Sequence, residues 1–305
     1  MSVFIPKGFA RMQDLLSEGC CLIAGQSDRA LRIGLLNLMP EKKIAERQFA
    51  RMLNASPLDT QLLPLKLASH APRHCETAYM DKVYQLATRE KVASLDGLII
   101  TGAPVEHLDF ADVDYWRELS GLLDCLKVLD VQTLFICWAA QAALYRYYGI
   151  AKHRLAQKAF GVFPQYVFEP GCDLVAGIDR KFPTPVSRHT TTHTMDILQH
   201  RPLRLVAGSH QSGPALIDDR DTNSTYMFNH LEYESDTLQQ EYLRDLRRQD
   251  AMVAPPDKKR LAPPASIDGR SWESSARRFF VNWLARMGDR NERRRTRAPS
   301  LETAA

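Results

Sequence analysis

Val131-Gln-Thr-Leu-Phe-Ile-Cys137 runs directly into Trp138-Ala-Ala-Gln-Ala-Ala-Leu-Tyr-Arg-Tyr-Tyr148, and Gly149 follows. The first seven residues form a short, largely apolar run with the look of a buried strand. The next eleven read as a helix, and Gly149 supplies its stop. A strand that passes at once into a helix is the building unit of parallel α/β sheets. Cys137 sits at the turn, where a side chain stands at the carboxyl edge of the sheet and the first helical N–H groups face whatever it attacks. That is the position of a nucleophile, and the positive end of the helix favours thiolate over thiol. The plainer alternative is a buried cysteine that only packs.

The same alternation extends upstream. Leu31 to Leu38, Gln61 to Leu67 and Leu95 to Thr101 read as strands. Glu41 to Asn54, Tyr79 to Arg89 and 112 to 127 read as helices; the last carries Val113, Trp116, Leu119, Leu122, Leu123 and Leu126 on one stripe. Four strands alternating with helices point to α/β architecture, an open doubly wound and mostly parallel sheet flanked by helices. In such sheets sites gather at the carboxyl ends of strands. After residue 150 the strands shorten (161 to 168, 203 to 207, 215 to 218, 225 to 229), which suggests a smaller, partly antiparallel C-terminal portion. Ser235 and Asp236 are expected to cap a helix over 235 to 248. A four-proline loop over 254 to 266 and a helix over 271 to 285 complete the reading.

Composition narrows the class. The chain has 305 residues, 45% hydrophobic and 25% charged, with neither the period of collagen nor the bias of a disordered chain. The best apolar run, Leu134 to Tyr145, is shorter than the ~20 residues of a membrane-spanning helix, and the N-terminus breaks too early for a signal peptide. Six scattered cysteines without a CxxC fit a reducing cytoplasm better than a disulfide framework. The net charge of +4 argues weakly for any anionic partner, nucleic acid and membrane included, because residues 286–305 carry +3 of it. Six arginines there (Arg286, Arg290, Arg293, Arg294, Arg295, Arg297) face Asp289, Glu292 and Glu302, so a basic, disordered tail is expected behind a single domain of residues 1–285. Within that domain, 31–150 is the core and 151–285 the part that completes the site.

A second candidate group is His230-Leu-Glu232, at the end of a strand. Residues i and i+2 of an extended chain face the same side, so the imidazole and carboxylate can act as a base and its orienting acid. With Cys137 they would make a Cys-His-Glu triad. His189-Thr-Thr-Thr-His193 invites a metal reading, but no third ligand accompanies it and no metal is expected. Lys42, Lys158 and Arg188, taken alone, read as solvated charges. There is no GxxxxGK[ST] and no GxGxxG, so nothing calls for a phosphate loop or dinucleotide cofactor.

These residues belong to longer motifs. Leu36-Asn-Leu-Met-Pro40 with Lys42, Gly97-Leu-Ile-Ile-Thr-Gly-Ala-Pro104, Phe135-Ile-Cys-Trp-Ala-Ala-Gln-Ala-Ala143, Ser187-Arg-His189, His230-Leu-Glu-Tyr233 and Asn282-Trp-Leu284 occur in that order. In this the chain resembles the homoserine O-acyltransferases of methionine biosynthesis, the succinyl- or acetyltransferases built on a class I glutamine-amidotransferase-like, flavodoxin-like fold. The resemblance implies Cys137 as acyl-accepting nucleophile, His230 as base, Glu232 as its partner, and backbone amides near Trp138, Gly102 and Ala103 as oxyanion hole. It implies Arg244 as the carboxylate-binding arginine, with Lys158, Ser187 and Lys42 at pocket positions. It implies no permanent cofactor, an acyl-CoA co-substrate, and a homodimer. Acetyl-users of the family carry glutamate where succinyl-users carry glycine, and Glu106 occupies that place here.

The chain departs from the family pattern at three points. Gly-His-Pro-Glu-Tyr reads Asn229-His-Leu-Glu-Tyr233, an expected Phe-Tyr reads Ala78-Tyr79, and a Ser-His reads Ser274-Ser275. All spare the triad, but they leave the acceptor open between homoserine and another hydroxy amino acid such as serine. Two other classes use the same elements: a glutamine amidotransferase or cysteine hydrolase, and a non-catalytic binding protein.

Overall fold

A computed structural model of the chain describes residues 1–70, 75–247 and 271–297. Its centre is one sheet. The strands are β1 (Val3–Ile5), β2 (Leu22–Ala24), β3 (Leu31–Leu36), β4 (Thr60–Lys66), β5 (Gln85–Leu86), β6 (Gly97–Ile100) and β7 (Gln132–Ile136), then β8 (His153–Val167), β9 (Lys181–Thr191), β10 (Leu203–Ser209), β11 (Gly213–Asp219) and β12 (Ser224–Met227). Across the sheet they run β2-β1-β4-β3-β6-β7-β12-β11-β10-β8-β9, with β5 beside β4. Every pairing from β2 to β12 is parallel, and every pairing from β12 outward to β9 is antiparallel. The mixed sheet, parallel throughout its first half, is the one the alternating pattern called for.

The helices are α1 (Met12–Ser17), α2 (Lys42–Leu53), α3 (Thr77–Val83), α4 (Arg89–Ala93), α5 (Trp116–Leu126), α6 (Trp138–Tyr148), α7 (Thr194–Leu198), α8 (Thr237–Arg247) and α9 (Glu273–Arg297). They cover both faces. Ile99, Leu134 and Ile136 pack toward Phe49 and Leu53 of α2 and Phe280 and Trp283 of α9. Their neighbours Leu98, Ile100 and Phe135 pack toward Leu119 and Leu123 of α5 and Ala143 and Leu144 of α6. Strands buried on both faces lose polar alternation, which is why β3, β6 and β7 read as continuous apolar runs.

Three expectations need correction, and one strand was not expected. The helix over 79 to 89 divides into α3, β5 and α4: Leu65 and Lys66 of β4 pair with Gln85 and Leu86, and the Thr88 side chain accepts from Lys91 N–H to start a new helix. The strand expected from 161 begins at His153. Its partner β9 was hidden by Pro183 and Pro185, which a sheet tolerates best on an edge, where β9 lies. Finally, the helix expected to end at residue 285 continues, and α9 runs to Arg297. Arg286 donates to Asp218 Oδ1 at 2.7 Å and to Asp173 Oδ2 at 3.1 Å, and Met287 packs so closely on Gly97 that a Cβ there would lie 2.7 Å from its sulfur. The four-proline loop and residues 298–305 lie outside the described residues.

Asp218 is fully buried, so Arg286 neutralises a charge that water cannot reach. Removing one partner of a buried pair costs about 3–5 kcal/mol. Arg286→Leu is therefore expected to lower the unfolding free energy by about that amount in urea denaturation, whereas a change in a disordered tail would leave it within ~0.5 kcal/mol.

Candidate active site

Cys137 occupies the turn between β7 and α6 with φ 53° and ψ −113°, a conformation that L-residues rarely adopt. Its N–H donates to Met227 O at 2.7 Å, tying the turn to the end of β12. The Gly102 backbone presses against the same turn. A Cβ on residue 102 would come within 3.2 Å of Cys137 Cβ and 3.7 Å of Trp138 N, so only glycine allows this approach without displacement. The Cys137 thiol lies 3.9 Å from Ser187 O.

The parallel pairing of β7 with β12 aligns Ile136 with Met227. Three residues beyond β12 the chain delivers His230, whose N–H donates to Pro185 O at 2.9 Å. Its Nδ1 lies 2.7 Å from Glu232 Oε1, its ring stacks on Tyr233 at 4.3 Å, and its side chain is hydrogen-bonded to Cys137. Burial by itself would push the imidazolium pKa down. The charges of Glu232 and Cys137, with hydrogen bonds to both, outweigh burial and hold it well above the usual value. The three predicted residues thus meet in one hydrogen-bonded run.

They open on a cleft of about 240 Å³. One wall is the segment 102 to 107, with Gly102, Ala103 and Glu106. The other carries Lys158, Ser187 and Arg244 from β8, β9 and α8. Lys158 lies where the β8–β9 register shifts between Arg154 and Ala159, and its ammonium contacts Asp245 Oδ2 at 2.6 Å. Arg244 also donates to Asp245, through Nε at 3.0 Å and Nη2 at 2.9 Å. Burial would raise the Asp245 pKa, but these two cations hold it below the ordinary carboxylate value. The Arg244 side chain stays 36% exposed, so its guanidinium can still meet an anion from the cleft.

Arg188 is different. It lines the cleft but is fully buried, donating to Asn229 Oδ1 at 2.6 Å and Phe228 O at 3.2 Å. Burial pushes its pKa down to about 10, opposed by the charge of Cys137. Asn229, one of the departures from the family pattern, is its partner and also donates to Thr184 Oγ1 at 2.8 Å.

Lys42 does not line the cleft. Its buried ammonium donates to Asn37 O at 2.5 Å, and burial pushes its pKa down to about 8. Nearby, Glu46 accepts from the hydroxyls of Tyr79 and Tyr84; burial carries it up to about 7 in spite of them. This network holds the turn after β3, and Met39 and Pro40 of that turn do line the cleft. Lys42 therefore reaches the site through the loop it braces.

Of the two histidines weighed as metal ligands, His193 stacks on His153 at 3.8 Å. His189 instead joins Glu106 and His107, with possible ligand atoms within 4.8 Å of one another. A second such group among the described residues, Cys172, Asp173 and Asp218, already surrounds the Arg286 guanidinium. Sequence reasoning passed over Gln141, Tyr233, Glu241 and Asp245, which also line the cleft. A signal existed for the last two: with Arg244 they occupy one face of α8 at i, i+3 and i+4.

A cysteine on a strained strand-to-helix turn, beside a histidine and glutamate delivered by the neighbouring parallel strand, defines a glutamine amidotransferase-type fold. A glutamine amidotransferase from Thermotoga maritima matches it with a TM-score of 0.59 at 11% identity, covering 86% of this chain and 99% of that one. The model of the homoserine O-succinyltransferase family matches residues 3–292, and the chain belongs to that family. Among its relatives are proteins named homoserine O-acetyltransferase. The one from Desulfovibrio desulfuricans is 39% identical over 289 residues, 93% of this chain and 92% of that one. The one from Bacillus licheniformis is 38% identical over 289 residues, 93% and 96% of the two chains.

The His230–Glu232 pair has a pH signature. A raised folded-state pKa means the stabilisation is complete below the unfolded histidine value of about 6.5 and is lost as pH rises through the folded value. Glu232→Gln removes the attracting charge, so the His230 Hε1 resonance is expected to titrate at lower pH than in the parent. The stability difference between the two proteins is expected to shrink toward alkaline pH.

Proposed function

We propose that this protein is an acyl-CoA-dependent acyltransferase that moves an acetyl group from acetyl-CoA to the side-chain hydroxyl of L-homoserine, giving O-acetyl-L-homoserine and CoA. The observation that carries this reading is the hydrogen-bonded run Cys137–His230–Glu232 in a cleft that also holds Glu106 and Arg244. Kinship with homoserine O-acetyltransferases supports the substrates.

His230, whose proton affinity is raised, takes the proton of the Cys137 thiol. The thiolate attacks the thioester carbonyl, and the oxyanion that develops meets the N–H of Trp138 and the amides of Gly102 and Ala103. Collapse of the intermediate breaks the carbon–sulfur bond to CoA, and the imidazolium protonates the departing thiolate. The acetyl group then sits on Cys137 and His230 is neutral. Homoserine enters with its carboxylate against Arg244, beside Lys158 and Ser187. His230 takes the hydroxyl proton as the oxygen attacks the acetyl carbonyl, and returns a proton as Cys137 leaves. Glu232 holds the imidazole in one tautomer through both halves. Splitting the transfer into two steps gives ping-pong kinetics.

Glu106 selects the donor. It lines the cleft, and a carboxylate there would repel the succinyl carboxylate and occupy its space while leaving room for acetyl. A glutaminase reading draws on the shared amidotransferase fold; release of ammonia from glutamine without acyl-CoA would establish it.

Cys137→Ala is expected to lower kcat by roughly four orders of magnitude or more and to abolish the acetylated species seen by intact mass when acceptor is omitted. His230→Asn is expected to block acylation equally; full activity in either variant would sink the triad. Glu106→Gly is expected to raise kcat/KM for succinyl-CoA about 100-fold, the scale on which removal of a close like charge acts, measured by release of free CoA thiol.

A further inference from the structure

The triad leaves several polar side chains of the cleft without a role, and Gln141 is the one among them whose amide oxygen and nitrogen are both unpaired among the described residues. It is 1% exposed. A buried amide that satisfies neither its donor nor its acceptor is costly unless something else completes it. Gln141 lines the cleft, so a bound molecule can do so.

Its position on α6 says which part of a bound molecule it meets. Trp138, Gln141 and Tyr145 lie at i, i+3 and i+7, on one stripe of the helix. The Phe110 ring packs against both ends of that stripe, 5.8 Å from Trp138 and 4.8 Å from Tyr145. Gln141 therefore faces the segment that leads from Gly102 through Glu106 to Phe110. Helical side chains also tilt toward the N-terminus, which carries the Gln141 amide back toward the Cys137 turn. Arg244, Lys158 and Ser187 come from other elements on the opposite wall. Gln141 is thus on the side of the transferred acyl group, along with Glu106.

We infer that Gln141 is a specificity-determining residue whose NH2 group donates to the distal carboxylate of a dicarboxylic acyl group such as succinyl. In this protein Glu106 lines the same cleft without a hydrogen bond to Gln141 and acts as an acetyl-sized stop that keeps such a group out. When residue 106 is small, the acyl carboxylate reaches the amide. The inference rests on the acyltransferase reading above and on Glu106 as donor selector. It adds an attractive partner to the repulsive one.

The test compares acetyl-CoA with succinyl-CoA in four proteins: the parent, Glu106→Gly, Glu106→Gly/Gln141→Leu and Glu106→Gly/Gln141→Glu. Initial rates of thiol release are measured, and the acyl group on Cys137 is identified by intact mass without acceptor. Glu106→Gly is expected to take up succinyl. Gln141→Leu in that background is expected to lower the succinyl-to-acetyl ratio of kcat/KM at least 10-fold, and Gln141→Glu to lower it further by restoring a negative charge. The second replacement guards against a purely steric effect, since glutamate and glutamine have the same shape. If both double variants keep the ratio of Glu106→Gly within twofold, Gln141 does not read the acyl group. If Glu106→Gly takes up no succinyl, no acyl carboxylate occupies that place and the inference falls with the donor assignment. If neither donor acylates Cys137 in the parent, the acyltransferase reading itself has failed.

Discussion

The parallel pairing of β7 with β12 is the contact on which the rest depends. It joins the parallel half of the sheet to the antiparallel half, and it connects strands whose centres are about ninety residues apart in the chain. The register that sets Ile136 opposite Met227 places Cys137 just beyond the end of one strand and His230 three residues beyond the other. A parallel ladder slipped by two residues would keep the faces of β12 correct but carry His230 some 7 Å along the strand axis. The hydrogen bond from Cys137 N–H to Met227 O locks the register where it matters.

The strain at Cys137 follows from the same arrangement. A residue with φ 53° and ψ −113° persists only when its surroundings over-determine it. Here β7 is held on both sides, α6 begins immediately, and Gly102 leaves no room on the third side. The result is a thiol held off the sheet edge toward the cleft, with the helix N-terminus beside it. Around it, charge is balanced in layers: Glu232 against His230, Asp245 between Lys158 and Arg244, and Arg188 buried with its bonds to Asn229 and backbone oxygens. Buried charges without such partners would neutralise themselves instead.

The antiparallel half has a different task. β8 and β9 bring Lys158 and Ser187 to the cleft, and α8 adds Glu241, Arg244 and Asp245 from one helical face. In the proposed mechanism the first half of the chain thus supplies the nucleophile and the donor side, while the second supplies the base and the acceptor side. α9 then returns to pack beneath β6 and β7, with Arg286 and Met287 fixing its continuation. The basic end of the chain begins as part of the body.

Much of this was legible in the residues alone. Fully apolar strands, amphipathic helices and the strand-to-helix passage at Cys137 are local patterns, governed by side-chain periodicity and by which residues can end a helix. The i, i+2 spacing of His230 and Glu232 is likewise local, and the longer motifs pointed to the family. Other features were not legible, because they depend on contacts between distant segments. β9 is a strand because an edge tolerates its prolines. Lys42 is withdrawn from the cleft because burial and Asn37 O claim its ammonium. Arg286 belongs to the core because Asp218 lies opposite. The role of Gln141 becomes visible only when Phe110 packs over its helix. Sequence by itself determined which segments could be strands, helices and reactive turns; tertiary structure decided which of their side chains share a cleft, since the pairing order of strands and the desolvation of charges are set by the whole fold.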